Sequence, residues 1–298
     1  MTDDAPPSSA RVERVDTRLG LAVCRAPLSP RTLVTYARDH VIVRTPSKPD
    51  FRDGNMLDLE VVPAPQDLPR WVARFEETVG AVGAARVQLR WERPQPPDAP
   101  ATTPVLDPAL AEAAGALGLE HFPLSVLLLD RLVEPPAAPG ELIPIAPPVA
   151  GSGDAVARHW HGATVLYRYF EGDEPDAWRN ADLSFAEWIV DVQRDLAVAG
   201  RCQPWLAMRH GAPVARLHLT HDQQGLAVVE DVVVHPASRR RGIAAALAHA
   251  AVSAHLGAHP GSQVGIVAEP GSAGERVYRR LGFRPHTTVW TLRGTGDA

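Results

Sequence analysis

The sequence predicts an α/β (α+β) protein of two similar domains, each a mixed, mostly antiparallel sheet flanked by helices. Its 298 residues exceed one ordinary domain and suit two, either of which can enclose a core of its own. A proline-rich stretch, EPPAAPGELIPIAPP from Glu134 to Pro148, interrupts the chain near its middle and lacks helical periodicity. On both sides of it the same succession of strand, helix, strand, helix and strand can be read. These observations divide the chain into a disordered tail over 1–17, a first domain over 18–134, a linker over 135–149 and a second domain over 150–298.

In the first domain HVIVRT and NMLDLEVV read as strands. DLPRWVARFEETVG reads as an amphipathic helix, with Leu68, Trp71, Val72, Phe75 and Val79 on one stripe. RVQLRWE follows as a strand, LDPALAEAAGALGL as a helix and LSVLLLDRL as a strand. In the second domain, Ala155 to Phe170 reads as a helix. LSFAEWIVDVQRDLAVAG opens with a capping box, Ser184 and Glu187, and closes at Gly200. PWLAMRH, VARLHLTH and LAVVEDVVVHP form an antiparallel meander, and the run that begins at the arginines of HPASRRRGIAAALAHAAV forms the next helix. QVGIVAE, the helix GSAGERVYRRLG and TTVWTLR complete the order. The ends of the domains can be superposed: Leu117-Gly118 falls on Leu281-Gly282, and Ala114 falls on Tyr278.

Composition excludes several functions. A formal charge of -5 and a pI near 6.2 leave no face-wide excess of base for a nucleic acid. Lys48 is the only lysine among 30 basic residues, and this bias toward arginine suggests a GC-rich bacterial genome. Cys24 and Cys202 give neither a disulfide framework nor a metal spacing, so a reducing cytosol is expected. The N-terminus has no apolar segment of the signal-peptide kind, and no run approaches the ~20 apolar residues of a membrane span. His159 and His161 stand two residues apart, which a helix does not align, so no metal site is inferred.

The chemistry is concentrated at HPASRRRG. A valine-rich strand runs into this loop and a helix follows, so the first backbone amides of the helix have no internal acceptor and, with the helix dipole, attract an anion. Gly242 removes the Cβ that would hold a diphosphate away, Ala244 keeps the next turn low, and Arg239 supplies a permanent, forked charge. From the arginines alone, a solvated helix cap is the alternative.

The loop Arg239-x-x-Gly242-x-Ala244 after a strand, together with GERVYRRLGF, in which Tyr278 precedes Leu281-Gly282-Phe283, resembles the GNAT (Gcn5-related) N-acetyltransferases. The resemblance spans Gly140 to Arg293. It implies that acetyl-CoA is the co-substrate. Val232, Val233 and Val234 would lie along the pantetheine arm, with Val232 and Val234 offering backbone groups. Arg239, Arg240, Arg241, Gly242, Ile243 and Ala244 would hold the diphosphate. Tyr278 would protonate the departing thiolate. Where many members carry an asparagine at the start of the last helix, this chain has Gly271, which puts a CoA contact there in doubt.

A base is available in Glu230 or Asp231, which period-two alternation points to opposite faces of the strand. Parity leaves the choice open; the resemblance favours Glu230, because family members often use a strand glutamate acting through water. Arg158 to Trp178 mixes aromatic residues with Glu171, Asp173, Glu174 and Asp176, a composition suited to a cationic acceptor and equally to a surface turn. The first domain offers PAPQDLPRWVARF where a diphosphate loop would lie, and Ala114 in place of the tyrosine, so it reads as a degenerate copy. The expectation is therefore an acyl-CoA-dependent N-acetyltransferase, acting on a primary amine by direct attack in a ternary complex in the cytoplasm. Its partners would be acetyl-CoA and an amine, with no nucleic acid and no membrane; a homodimer stays open. An inactive acyl-CoA-binding regulatory module is the alternative, against which Tyr278 and Glu230 argue. A different phosphate-binding scaffold is a third, weakened by the lack of a G-x-x-x-x-G-K-[ST] loop.

Overall fold

The computed structural model describes residues 18–294 apart from 29, 85, 150–151, 168, 170–183 and 223. The expected tail over 1–17 lies outside the described residues. In the first half the order is α1 (Leu19–Arg25), β1 (Leu33–Tyr36), β2 (His40–Arg44), β3 (Met56–Leu59), α2 (Leu68–Thr78), β4 (Gln88–Pro94), α3 (Pro108–Ala116) and β5 (Leu119–Leu129). The second half contributes β6 (Glu141–Pro144), α4 (Asp154–Tyr167), α5 (Ser184–Val198), β7 (Cys202–Arg209), β8 (Ala212–His221) and β9 (Leu226–Val234). It continues with α6 (Ile243–Ala258), β10 (Gln263–Ala268), α7 (Ala273–Arg280) and β11 (Phe283–Gly294). Every helix and strand read from the sequence is present. The elements not read are α1, β1 and β6. The last of these lies inside the stretch taken as a linker and pairs antiparallel with β7, an edge position where Pro144 is tolerated.

The two halves share one sheet, in the order β1-β2-β3-β4-β11-β5-β10-β9-β8-β7-β6. Each half hands its last strand to the other. β11 lies between β4 and β5, and β5 lies between β11 and β10. The repeat is visible around this exchange: β3 and β4 pair in parallel, as do β9 and β10, each across a helix. At an offset of 164 residues α7 falls on α3 and β11 on β5. The glycines that end the two helices, Gly118 and Gly282, are both left-handed, at φ 67° and 97°. A Cβ on Gly282 would stand 1.8 Å from the Arg131 carbonyl oxygen, so both conformation and space require glycine there.

β5 is apolar on both sides because it is buried on both sides. Leu119 and Leu127 belong to the cores under α2, α3, α6 and α7, whereas Leu124, Val126 and Leu128 pack on α1. One face of the sheet therefore carries α2, α3, α6 and α7, and the other carries α1, α4 and α5. The stripe of α2 packs as read, with Leu68, Trp71, Phe75 and Val79 buried and Val72 at its margin. Under α1, Asp58 receives hydrogen bonds from Arg90 at 2.7 and 3.1 Å and from Arg25. Burial opposes ionisation of Asp58, but the two guanidinium groups outweigh it and hold the carboxyl below its ordinary range.

Because neither half completes its own sheet, the full chain should unfold in a single transition by circular dichroism in urea. Residues 150–298 expressed alone lack β5 and should show no cooperative melt. Two resolved transitions, or a cooperatively folded 150–298 fragment, would show that the exchange is dispensable.

Candidate active site at the parting of two strands

β9 and β10 pair only from Leu226 opposite Gln263 to Val229 opposite Ile266. Beyond that point β10 stays with β5, Val267 facing Val126 and Ala268 facing Ser125, while β9 stays with β8. The sheet opens between Glu230–Val234 and Val267–Ala268. The His235 N–H donates to the Val214 carbonyl at 2.8 Å, so by alternation the polar backbone groups of Val233 face β8 and those of Val232 and Val234 face the opening. Such an edge accepts an extended ligand as an added strand. The Val234 carbonyl already accepts from Arg239 Nε at 3.2 Å.

At the end of β9 a single 3-10 turn, Pro236–Ser238, leads into Arg239–Gly242. The His235 ring caps this turn, accepting from the Ala237 N–H at 3.2 Å. Arg240 and Gly242 are left-handed, at φ 60° and 77°, and Gly242 is the N-cap residue of α6 with no side-chain cap. The first hydrogen bond of the helix runs from Ala246 N–H to Gly242 O, so the amides of Ile243, Ala244 and Ala245 precede the internal ladder. Arg240 and Arg241 are exposed and make no ion pair among the described residues. The structure thus brings residues 239–244 together as a cationic, amide-rich loop at the end of the opening.

Tyr278 sits on α7, buried among Leu247, Leu281 and Phe283, in the core that Val232 and Val234 border. Burial raises its hydroxyl pKa above the ordinary value, which keeps the proton in place. Ser272 caps α7 by accepting from the Glu275 N–H at 3.1 Å, and the Glu275 carboxylate accepts from the Gly271 N–H. The amide at Gly271 is therefore already used.

One expectation is corrected. Glu230 and Asp231 do not point to opposite faces. The register of β9 on β8 shifts between His218–Glu230 and Arg216–Val233, and Asp231 is left-handed, at φ 47°. This is a β-bulge, which inserts a residue and breaks the alternation. Both carboxylates fall on the α4/α5 side, opposite Tyr278. Asp231 Oδ2 accepts from Gln193 Nε2 at 3.0 Å and lies 3.8 Å from Arg216 Nη2. Between the carboxylates stands His218 of β8, its Nε2 3.6 Å from Glu230 Oε2 and its Nδ1 3.4 Å from Asp231 Oδ2. Burial, then the neighbouring charges of Asp231 and Asp53, pushes the Glu230 carboxyl well above its ordinary range. Burial also raises Asp231, against the opposing effect of Arg216 and the Gln193 hydrogen bond. Burial and the charge of Arg216 push His218 well below 6.5, so its ring is neutral.

Sequence reading missed His218, Asp53 and the anchors Arg216 and Gln193. Alternation in VARLHLTH did place Arg216 and His218 on one face; nothing local announced the bulge that turns both acids toward them. Glu171, Asp173, Glu174 and Asp176 lie outside the described residues. His159 lines a groove of about 600 Å³ with Pro139, Glu141 and His210. Among the described residues no group of three or more His, Cys, Asp or Glu is placed to hold a metal ion. Cys202 is buried, and burial raises the pKa of both thiols, that of Cys24 to about 12, so neither is a ready nucleophile.

The matching place in the first half is differently furnished. The turn before α2 carries Pro65, Pro69 follows, and Asp67 at the helix start makes no capping hydrogen bond. Arg18 donates to the Leu59 carbonyl at 2.9 Å and pairs with Glu60 at 3.0 Å, covering the end of β3. Ala114 is buried where the repeat places Tyr278.

Residues 164–283 match the model of the acetyltransferase (GNAT) family. No curated protein matches the chain. Among solved structures, a functionally unknown conserved protein of Staphylococcus epidermidis aligns with a TM-score of 0.62 at 12% identity, over 88% of this chain and 93% of that one. A GCN5-related N-acetyltransferase from Kribbella flavida gives 0.56 at 17%, over 94% and 97%. A tandem GNAT protein from the clavulanic acid biosynthesis pathway gives 0.51 at 14%, over 93% and 88%. At these identities the likeness establishes the fold alone.

The proximity of the two acids has a measurable consequence. In Asp231→Asn the like charge beside Glu230 is gone, so the Glu230 carboxyl should titrate at lower pH than in the wild type. Carbon-detected NMR of labelled glutamate side chains reads this directly, and an unmoved or raised Glu230 titration would contradict the arrangement.

Proposed function

From the match of residues 164–283 to the acetyltransferase (GNAT) family, we propose that the protein transfers the acetyl group of acetyl-CoA to a primary amine by direct attack within a ternary complex. The observation that carries this reading is the opening between β9 and β10. It has an anion-binding loop at one end, Tyr278 on one face of the sheet and Glu230 with Asp231 on the other. An extended thioester laid along Val232, Val233 and Val234, with its diphosphate on residues 239–244, would present its sulfur to the Tyr278 side and its carbonyl to the carboxylates.

The chemistry needs the acceptor amine neutral, the carbonyl polarised and the thiolate protonated as it leaves. Glu230 is the base. A carboxylate with a raised pKa takes a proton near neutral pH more readily than an exposed one. Tyr278, kept protonated by burial, is the acid that returns a proton to sulfur. Glu230, Asp231 and Asp53 together favour an acceptor that arrives as a cation, and a small polyamine or aminoglycoside-like molecule suits them. No helix among the described residues is long and apolar enough to cross a membrane, and the cytoplasm, where acetyl-CoA is made and used, is the expected place of action.

Screening primary amines for release of CoA from acetyl-CoA, with mass spectrometry of the product, tests the reading; no acetylated product from any amine would defeat it. In Tyr278→Phe, kcat should drop about 10²-fold or more with CoA affinity changed by no more than a few-fold. Unchanged turnover would remove Tyr278 from the mechanism.

The first half should hold no CoA, since its helix start is occupied by proline and aspartate and its strand end by Arg18. Calorimetry on the full chain should therefore give one CoA per chain, abolished by Gly242→Glu, which forces a side chain into a left-handed position and sets a negative charge at the helix start. A stoichiometry near two, or binding retained in that variant, would assign the diphosphate elsewhere.

A further inference from the structure

His218 is 3% exposed and its Nδ1 has no hydrogen-bond partner among the described residues, an expensive state for a buried imidazole. It faces a carboxylate with each ring nitrogen, Glu230 at 3.6 Å from Nε2 and Asp231 at 3.4 Å from Nδ1. These distances exceed good hydrogen bonds; catalytic hydrogen bonds often run long before substrate arrives. Glu230 reaches solvent with 20% of its side chain and Asp231 with 14%. Asp231 alone is anchored, by Gln193 and Arg216. Glu230 makes no hydrogen bond among the described residues beyond the sheet ladder.

Resting on the acetyl-transfer reading, we propose that His218 is a positioning residue that relays a proton from Glu230 to Asp231, so that the two carboxylates serve as one two-proton base. The stoichiometry of the reaction gives this a purpose. An acceptor that arrives as an ammonium ion must lose one proton before it attacks the thioester and a second as the amide forms. The first passes from nitrogen to the Glu230 carboxylate. Glu230 then gives its proton to His218 Nε2 while His218 Nδ1–H gives its proton to Asp231. The ring remains neutral in its other tautomer, and Glu230 is again a carboxylate ready for the second proton. One proton leaves to solvent through Asp231 and the second through Glu230, Tyr278 gives one to the thiolate and regains one from solvent, and the His218 ring returns to its Nδ1–H tautomer by solvent exchange, so acetyl-CoA and the ammonium ion yield amide, CoA thiol and one proton.

A neutral imidazole is what such a relay needs, since a protonated ring has no acceptor. Burial, and then the charge of Arg216 on its own strand, keep His218 neutral, while Glu230 and Asp231 from β9 are the acidic groups that face it. Gln193 from α5 donates to Asp231, and Tyr167 from α4 lies under Arg216.

The test uses His218→Asn and His218→Gln in the full chain, each amide keeping one arm of the bridge. With the amine that gives the fastest CoA release among polyamines and aminoglycosides, kcat/KM at neutral pH should fall at least about tenfold. The acid limb of its pH profile should also move, with acetyl-CoA affinity by calorimetry within about twofold. A loss of rate with an unmoved limb means that His218 only packs, and overturns the relay. A second measurement does not depend on turnover or on these variants folding. In the wild type, the nitrogen-15 resonances of the His218 ring should follow the titration of Glu230, and in Glu230→Gln that step should vanish. A His218 ring indifferent to Glu230 overturns the relay, whereas failure of every amine to release CoA from the wild type strikes the acetyl-transfer reading instead.

Discussion

The pairing of β5 with β11 is the constraint on which the rest of the structure depends. The two strands run antiparallel from Phe283 opposite Leu129 to Gly294 opposite Leu119, and each belongs in sequence to the half that it leaves. Once that pair forms, β4 must pack on β11 and β10 on β5. Neither half can then close a sheet without the other. The cost is a long loop closure, because β4 and β11 are separated by most of the chain, and such non-local pairings form slowly. The gain is a centre buried on both faces, with Trp91 opposite Trp290 and Val126 and Val289 beneath α1.

The exchange also borders the candidate site. A parallel pair such as β9 and β10 would ordinarily stay hydrogen-bonded along its length. Here β10 is held on its other edge by β5 at Val126 and Ser125, while β9 is held by β8. The parting begins at Glu230, where the bulge also shifts the register of β9 on β8. The opening appears where Val229 and Ile266 part, and it leaves the backbone of Val232 and Val234 free of a second strand. The first half, with no phosphate loop and with Ala114 in place of Tyr278, thus contributes β5, the strand that pairs with β10 beside the opening.

How much of this the sequence carried depends on the range of the interaction that decides it. Helices and strands with a strong period were legible, because Leu68, Trp71, Phe75 and Val79, or the alternating VARLHLTH, mark a buried face within a few residues. The loop from Arg239 to Ala244 was legible for the same reason: a strand end, a glycine and a helix start are contiguous. β1 escaped because all four of its residues are exposed at an edge, and β6 because proline argues for a linker until a neighbouring strand is known. The strand exchange was beyond reach, since the run LSVLLL reports burial on both faces and says nothing of which strands do the burying. The bulge at Asp231 escaped as well. No glycine marks it, and a left-handed aspartate is settled by the anchors Gln193 and Arg216 rather than by its neighbours in sequence.

That bulge is costly in several ways at once. A non-glycine residue held left-handed is strained by roughly 1–3 kcal/mol. Two acids with raised pKa values oppose folding increasingly as pH rises through those values, because the folded state binds protons that the unfolded state has released. A histidine with a lowered pKa opposes folding as pH falls below about 6.5, because the unfolded state then binds the proton that the folded state refuses. An apolar side chain in place of Glu230 or His218 would carry no titration penalty. Stability alone therefore does not account for Glu230, Asp231 and His218 meeting under a break in the strand. The acetyl-transfer chemistry proposed at the parting of β9 and β10 would account for it.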